Sequence, residues 1–146
     1  MRTPDFHQVA LFVLASKPQI FGVWPFARLK DWLRYHWEQR ALAVVTEGDE
    51  VVGMAVAWRA QMPDIDWPWT KWDDRGKALY IAQLHAAKPM ALMTLLRALA
   101  VRCPDCFWLP MFATRRGKRV RLPRRYVQRL WNRTIRQLNP HPHHGR

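Results

Sequence analysis

The stretch from Met90 to Arg102 constrains this chain more than any other. Leu92, Met93, Leu95, Leu96, Leu99 and Val101 make it apolar on nearly every side, and a helix of that kind lies against a sheet rather than at the surface. Pro89 stands where a first helical turn tolerates proline. Residues 77–85 before it and 106–113 after it read as strands. Strand, helix, strand is a crossover unit, so the two strands are expected parallel and in one sheet.

The pattern upstream is equally regular. Residues 6–16 place Phe6, Val9, Phe12 and Val13 on one side of a helix that Lys17-Pro18 breaks. Pro25 opens a second helix reaching about Arg40, with Phe26, Leu29, Leu33 and Trp37 at spacings of three and four. Residues 41–46 and 51–59 are short apolar runs separated by Glu47-Gly48-Asp49-Glu50, which predicts an antiparallel hairpin. A loop over residues 60–74 carries Trp67, Trp69 and Trp72. Downstream, Arg116-Gly117-Lys118 turns into a short strand over 119–122, and Pro123 opens a last helix to about Leu138. The expected fold is α/β: a mixed, mostly antiparallel sheet of about five strands flanked by helices, with a basic helix at its end.

The length of 146 residues fits one domain, read as 1–138 with a His/Pro tail over 139–146. The longest run without Asp, Glu, Lys or Arg, residues 6–16, is 11 residues, whereas a membrane-spanning helix needs roughly 20 apolar residues. The same run is read as an ordinary amphipathic helix rather than a secretory leader. The only cysteines, Cys103 and Cys106, sit too close to staple a fold, and a reducing cytoplasm is the expected setting.

The net charge of +13 is very uneven. Residues 1–112 hold 13 Lys/Arg and all 11 Asp/Glu, whereas residues 113–146 hold 11 Lys/Arg and no acid. Ten of those last 11 are arginine, whose planar fork suits phosphate and carboxylate oxygens. Arg115, Arg116, Lys118, Arg119 and Arg121 form the turn and short strand, and Arg124, Arg125, Arg129 and Arg133 lie on the last helix. An acidic partner is expected, either a carrier protein or the backbone of a nucleic acid. Anionic lipid and a merely solvated face are the other readings of the run.

The element order resembles the acyl-CoA N-acyltransferase (GNAT-like) fold. In that fold an antiparallel meander leads to a central strand and helix, then a diverging strand, and the donor's pantetheine arm lies between the two strands. Finer features resemble the toxin-activating lysine acyltransferases: Ala15-Ser16-Lys17-Pro18, Trp24-Pro25, the hairpin, the tryptophan-rich acidic loop, and Asp74-Arg75-Gly76-Lys77. The likeness runs over roughly residues 8–122. It implies transfer of an acyl group from acyl carrier protein (acyl-ACP) or acyl-CoA to an amine on a protein. The catalytic His and Asp of that family are both absent: residues 19–23 read Gln-Ile-Phe-Gly-Val, and Ala82 stands where the aspartate would be. The alternative is a non-catalytic nucleic-acid-binding module on the same fold.

Within that resemblance His85, closing the central strand, is the candidate general base, since a base near neutral pH is what amine acylation requires. Its plain alternative is a strand-end histidine bonded to a nearby carbonyl. The loop Ala86-Ala87-Lys88-Pro89-Met90-Ala91 has no glycine, so it suits one phosphate better than a pyrophosphate, with Ala87, Lys88 and Met90 as the cofactor-binding residues.

Cys103-Pro104-Asp105-Cys106 has the spacing of a redox pair or half a zinc site. A redox pair normally opens a helix, whereas here the helix comes first. A zinc site needs two more ligands, and only His141, His143 and His144 are on offer. Two structural thiols and no metal site is the expectation. The tryptophans of the acidic loop are read as packing the loop down, with a lid over an acyl chain as the alternative.

Overall fold

In the computed structural model, which describes residues 2–16 and 24–138, the first helix is α1, Phe6–Ser16. Asp5 caps it, its carboxylate accepting from the His7 N–H at 3.0 Å and the Gln8 N–H at 3.4 Å. Val9, Ala10 and Val13 are its buried face. The second helix, α2, runs Phe26–Glu38 behind Pro25 and buries Leu29, Trp32, Leu33 and His36, spaced three or four apart as the core stripe of an amphipathic helix must be. The Lys17-Pro18 break and residues 19–23 lie outside the described residues.

The hairpin is β1, Leu42–Glu47, and β2, Glu50–Ala60. After the tryptophan loop comes β3, Ala78–Ala86, then helix α3, Pro89–Arg102. Strand β4, Met111–Arg115, and strand β5, Lys118–Arg121, form a second hairpin, and helix α4 is Arg124–Leu138. Arg116 and Gly117 at the tip of this hairpin both take positive φ, 54° and 76°, the turn geometry that matches the twist of the flanking strands.

One five-stranded sheet results, ordered β1-β2-β3-β4-β5. All neighbours are antiparallel except β3 and β4, which are parallel across α3. Two cores sandwich the sheet. Val9, Val13, Leu29 and Leu33 meet Met54, Val56, Trp58 and Tyr80 on one face. On the other face Leu96 and Ala100 of α3 and Val127 and Leu130 of α4 meet Leu79, Met111 and Ala113.

Gly53 brings α3 close. A Cβ there would meet Ala91 Cβ at 3.0 Å and Leu95 Cδ1 at 3.3 Å, so only a glycine lets the first turns of α3 settle onto β2.

Two details differ from the sequence expectation. Residues 106–113 are not one strand: Cys106–Trp108 is a 3-10 turn, and the strand starts at Met111. The Trp108 N–H donates to Asp105 and the Leu109 N–H to Cys106, curling the run so that Cys106 and Phe107 point into the core. Helix α3 buries Ala91, Leu95, Leu96 and Ala100, but Met90 and Val101 are 73% and 72% exposed.

Candidate functional site

The parallel pairing of β3 with β4 covers only Leu79↔Met111, Tyr80↔Phe112 and Ile81↔Ala113. Beyond Ile81 the two strands part, while β3 continues to Ala86 with β2 on its other side. The parting coincides with a bulge. Val56 faces Gln83 and Ala57 faces Ile81, so Ala82 is an extra residue on β3. A bulge bends its strand and raises local twist, which is the local cause of a gap opening here. On the rim of the gap the Tyr80 hydroxyl is hydrogen-bonded to Thr114 Oγ1, and burial pushes the Tyr80 phenol above its ordinary pKa.

The bulge also sets which side chains face where. Gln83 and His85 stand opposite Val56 and Met54, which belong to the α1–α2 core, so both turn toward that face. His85 Nε2 lies 2.6 Å from Gln83 Oε1. An amide oxygen only accepts, so Nε2 carries the hydrogen and Nδ1 is the basic nitrogen.

At the end of β3, on the α3–α4 side, is a pocket of about 680 Å³ lined by Ala86, Ala87, Lys88, Leu92, Arg133 and Arg136 among others, with no acidic side chain in its lining among the described residues. The fold thus brings two of the three expected cofactor-binding residues, Ala87 and Lys88, together with Arg133, and adds Arg136. Met90 lies outside the pocket lining. The Ala87 N–H is also taken, donating to the Val52 carbonyl at 2.8 Å. Pro89 has no N–H, and the Ala91 and Leu92 N–H groups return to the Lys88 carbonyl, so the donor that α3 can offer an anion from its first turn is Met90 N–H. Lys88 Nζ is ion-paired with Glu47.

The basic residues divide by role. Arg119 is held by Asp66 and the Pro63 carbonyl. Arg124 donates to the Phe107 carbonyl at 2.8 Å and lies over the Trp108 ring at 5.5 Å. Arg115, Arg116 and Lys118 are exposed at the tip of the β4–β5 hairpin, and Arg121 is exposed on β5. Arg125 and Arg129 are exposed on α4, one turn apart, and the same stripe continues to Arg133 and then Arg136 at the pocket.

The tryptophan loop is pinned rather than open. Trp58 Nε1 donates to the Ile65 carbonyl at 2.6 Å and Tyr35 Oη to the Trp69 carbonyl at 2.8 Å. The Pro68 carbonyl accepts from both Trp32 Nε1 and His36 Nε2, each at 2.8 Å. Trp67, 60% exposed, is the tryptophan of the loop that reaches solvent most.

Cys103 and Cys106 are buried free thiols in a turn closed by a 3.0 Å hydrogen bond from the Cys106 N–H to the Cys103 carbonyl. The Cys106 thiol and, at 3.6 Å, the Arg59 guanidinium hydrogen-bond Cys103 Sγ and hold it below the ordinary thiol pKa, while sharing that bond and burial push Cys106 up. Among the described residues no group of His, Cys, Asp and Glu side chains gathers as a metal site, and no helix is long and apolar enough to cross a membrane. The tail histidines lie outside the described residues.

Comparisons with protein-family models, curated proteins and solved structures return no match for this chain.

Proposed function

We propose that this chain binds the phosphopantetheine arm of an acyl donor, acyl-ACP or acyl-CoA, and passes the acyl group to an amine on a protein. The observation that carries the reading is the parting of β3 from β4 after Ile81 and Ala113, beside a pocket whose charged lining is wholly basic. A strand edge without a partner strand leaves backbone N–H and C=O groups for an extended, amide-bearing arm. The donor phosphate sits at the first turn of α3 with Arg133 and Arg136, where the helix dipole and the two guanidiniums act together. The exposed Arg125 and Arg129 extend the positive field outward and suit an acidic carrier protein.

His85 is the base in this reading. Its Nδ1 takes the proton from the attacking ammonium or amine, the amine nitrogen bonds to the thioester carbonyl, and the departing thiolate takes up a proton as the C–S bond breaks. Gln83 orients the ring through Nε2.

The test is binding of phosphopantetheine, acyl-CoA and acyl-ACP to the protein, followed by transfer to a lysine peptide. Arg133→Glu with Arg136→Glu is expected to weaken donor binding about tenfold or more. His85→Ala is expected to abolish transfer with binding kept. Unchanged donor binding in the double variant overturns the reading.

A second reading is favoured by one observation: Arg125 and Arg129 belong to the stripe but not to the pocket lining. A nucleic-acid backbone laid along α4 uses them directly. Binding to duplex DNA that falls steeply with salt and is lost in Arg125→Glu with Arg129→Glu supports this second reading.

A further inference from the structure

A second space lies on the same face of the sheet as the basic pocket, but toward β1 and β2. The α1–α2 core covers the opposite face of these strands, and α4 packs toward β4 and the 3-10 turn. Among the described residues only α3 stands over β1 and β2 here, and the groove it leaves has a volume of about 760 Å³. That is the size of ligand cavities, which run to roughly 300–1,000 Å³.

The sequence builds its floor from short side chains: Ala43 on β1, and Ala55 and Ala57 on β2. Leu95 and Leu99 of α3 face them, and Leu84 of β3 joins the wall because the bulge returns it to the side of Ile81. Among the described residues three cations line the groove, Arg40, Arg97 and Arg102, and no acidic side chain does. Arg102 is fixed there, its guanidinium 4.0 Å over the Trp72 ring and its Nε donating to the Arg40 carbonyl at 3.2 Å. Its ion partner Asp74, at 3.6 Å, has a side chain 84% exposed, so that pairing is weak in water.

An apolar trough with only positive charge selects for an apolar body carrying a negative head. We propose that this groove is a binding site for a free long-chain carboxylate, its hydrocarbon chain lying along α3 over the three alanines and its carboxylate at the arginines. The groove follows α3 from Thr94 to Arg102, a rise of about 12 Å, which suits a single chain. The site is separate from the basic pocket at the start of α3, and the inference does not rest on the acyl-donor reading.

Titration with dodecanoate, dodecanol and dodecyltrimethylammonium tests it, read by calorimetry, by fluorescence of Trp37 and Trp72 at the groove, and by Tm. Dodecanoate is expected to bind and raise Tm, and dodecanol to bind about tenfold more weakly. Ala55→Leu is expected to abolish binding of both, with circular dichroism unchanged. Ala43→Leu, on the edge strand, carries the same test should Ala55→Leu fail to fold. Arg40→Gln with Arg97→Gln is expected to weaken dodecanoate about tenfold and leave dodecanol unchanged. Equal binding of the three head groups overturns the proposal, as does binding lost in Arg125→Gln with Arg129→Gln, which would mean surface charge alone. A protein dimer that the alanine variants disrupt, without amphiphile binding, assigns the groove to a second copy and also overturns it.

Discussion

The His36 imidazole lies flat against the Trp58 indole, ring centroids 4.7 Å apart and planes 11° from parallel. The ring is wholly buried, with Trp32 and Tyr35 edge-on to it. Its Nε2 must donate to the Pro68 carbonyl, so Nδ1 carries a lone pair, and that atom is buried without a partner among the described residues. Nothing there receives a second proton. Burial therefore drives the His36 pKa down from 6.5 to about 4, against the smaller opposing pull of the Pro68 bond.

The first prediction follows from the sign of that shift. Below pH 6.5 the unfolded chain binds a proton at His36 that the folded chain refuses, so stability is full above 6.5 and lost as pH falls toward 4. The loss expected from this one group is on the order of 3 kcal/mol. His36→Phe keeps a ring on Trp58, and the Pro68 carbonyl keeps Trp32 as donor. It is expected to cost about 1 kcal/mol at pH 7 and to flatten the pH dependence between 4 and 6.5, measured by urea unfolding across pH. An unchanged acid slope in this variant would show that His36 is not the group responsible.

Gly53→Val probes the seat of α3. With Ala91 Cβ at 3.0 Å from the first added carbon, the helix must lift from β2, and a loss of about 2 kcal/mol is expected. The same shift moves the first turn of α3, so the phosphate binding proposed for the basic pocket is expected to weaken together with stability. A variant that loses stability but binds inorganic phosphate as before would separate the two.

Gly76→Ala is expected to be worse than its size suggests. The added carbon would fall 2.5 Å from the Ala60 N, 2.7 Å from its Cα and 2.9 Å from its carbonyl carbon, all backbone that cannot rotate away. The Gly76 carbonyl also accepts from Arg59 Nε at 2.7 Å, so a shift would break that bond as well. A loss of about 3 kcal/mol by thermal or urea unfolding is the expected outcome.

Cys103 and Cys106 differ in acidity although both are buried. In the native protein both should resist iodoacetamide, and under mild urea Cys103 should label first, because the thiolate is the reactive form. Arg59→Gln is expected to narrow that preference without removing it, because the Cys106 thiol remains as the main partner of Cys103. Peptide mass mapping of the alkylated protein reads the order directly, and labelling of Cys106 ahead of Cys103 would refute it.

Much of this architecture could be read from local pattern. The bounds of α1, the Pro25 start of α2, the β1–β2 hairpin and the strand–helix–strand unit all follow from periodicity and from proline. Long-range geometry was not legible. Cys106-Phe107-Trp108-Leu109 has the composition of a strand, and only the turn closed at Cys103 curls it. His36 occupies a core position of an amphipathic helix and looks like any polar interruption until the tryptophan loop folds over it. Nothing local brings Arg133 and Arg136 to the Ala86–Lys88 end of β3, or gathers Arg40, Arg97 and Arg102 around one groove, since each set joins residues far apart in the chain. The extra residue at Ala82 was equally hidden, because alanine is neutral toward a bulge.

That single inserted alanine makes β3 two short strands of opposite parity spliced end to end. Deleting it would restore plain alternation with Ala57↔Ile81 and Val56↔Gln83 unchanged, so Gln83, Leu84 and His85 would keep their faces. Ironing out the bulge at full length would instead exchange inside for outside from Gln83 onward, turning Leu84 toward the α1–α2 core and Gln83 with His85 toward α3. The polarity of the outer half of the strand is thus written by the extra residue standing outside the ladder rather than by the identity of any side chain.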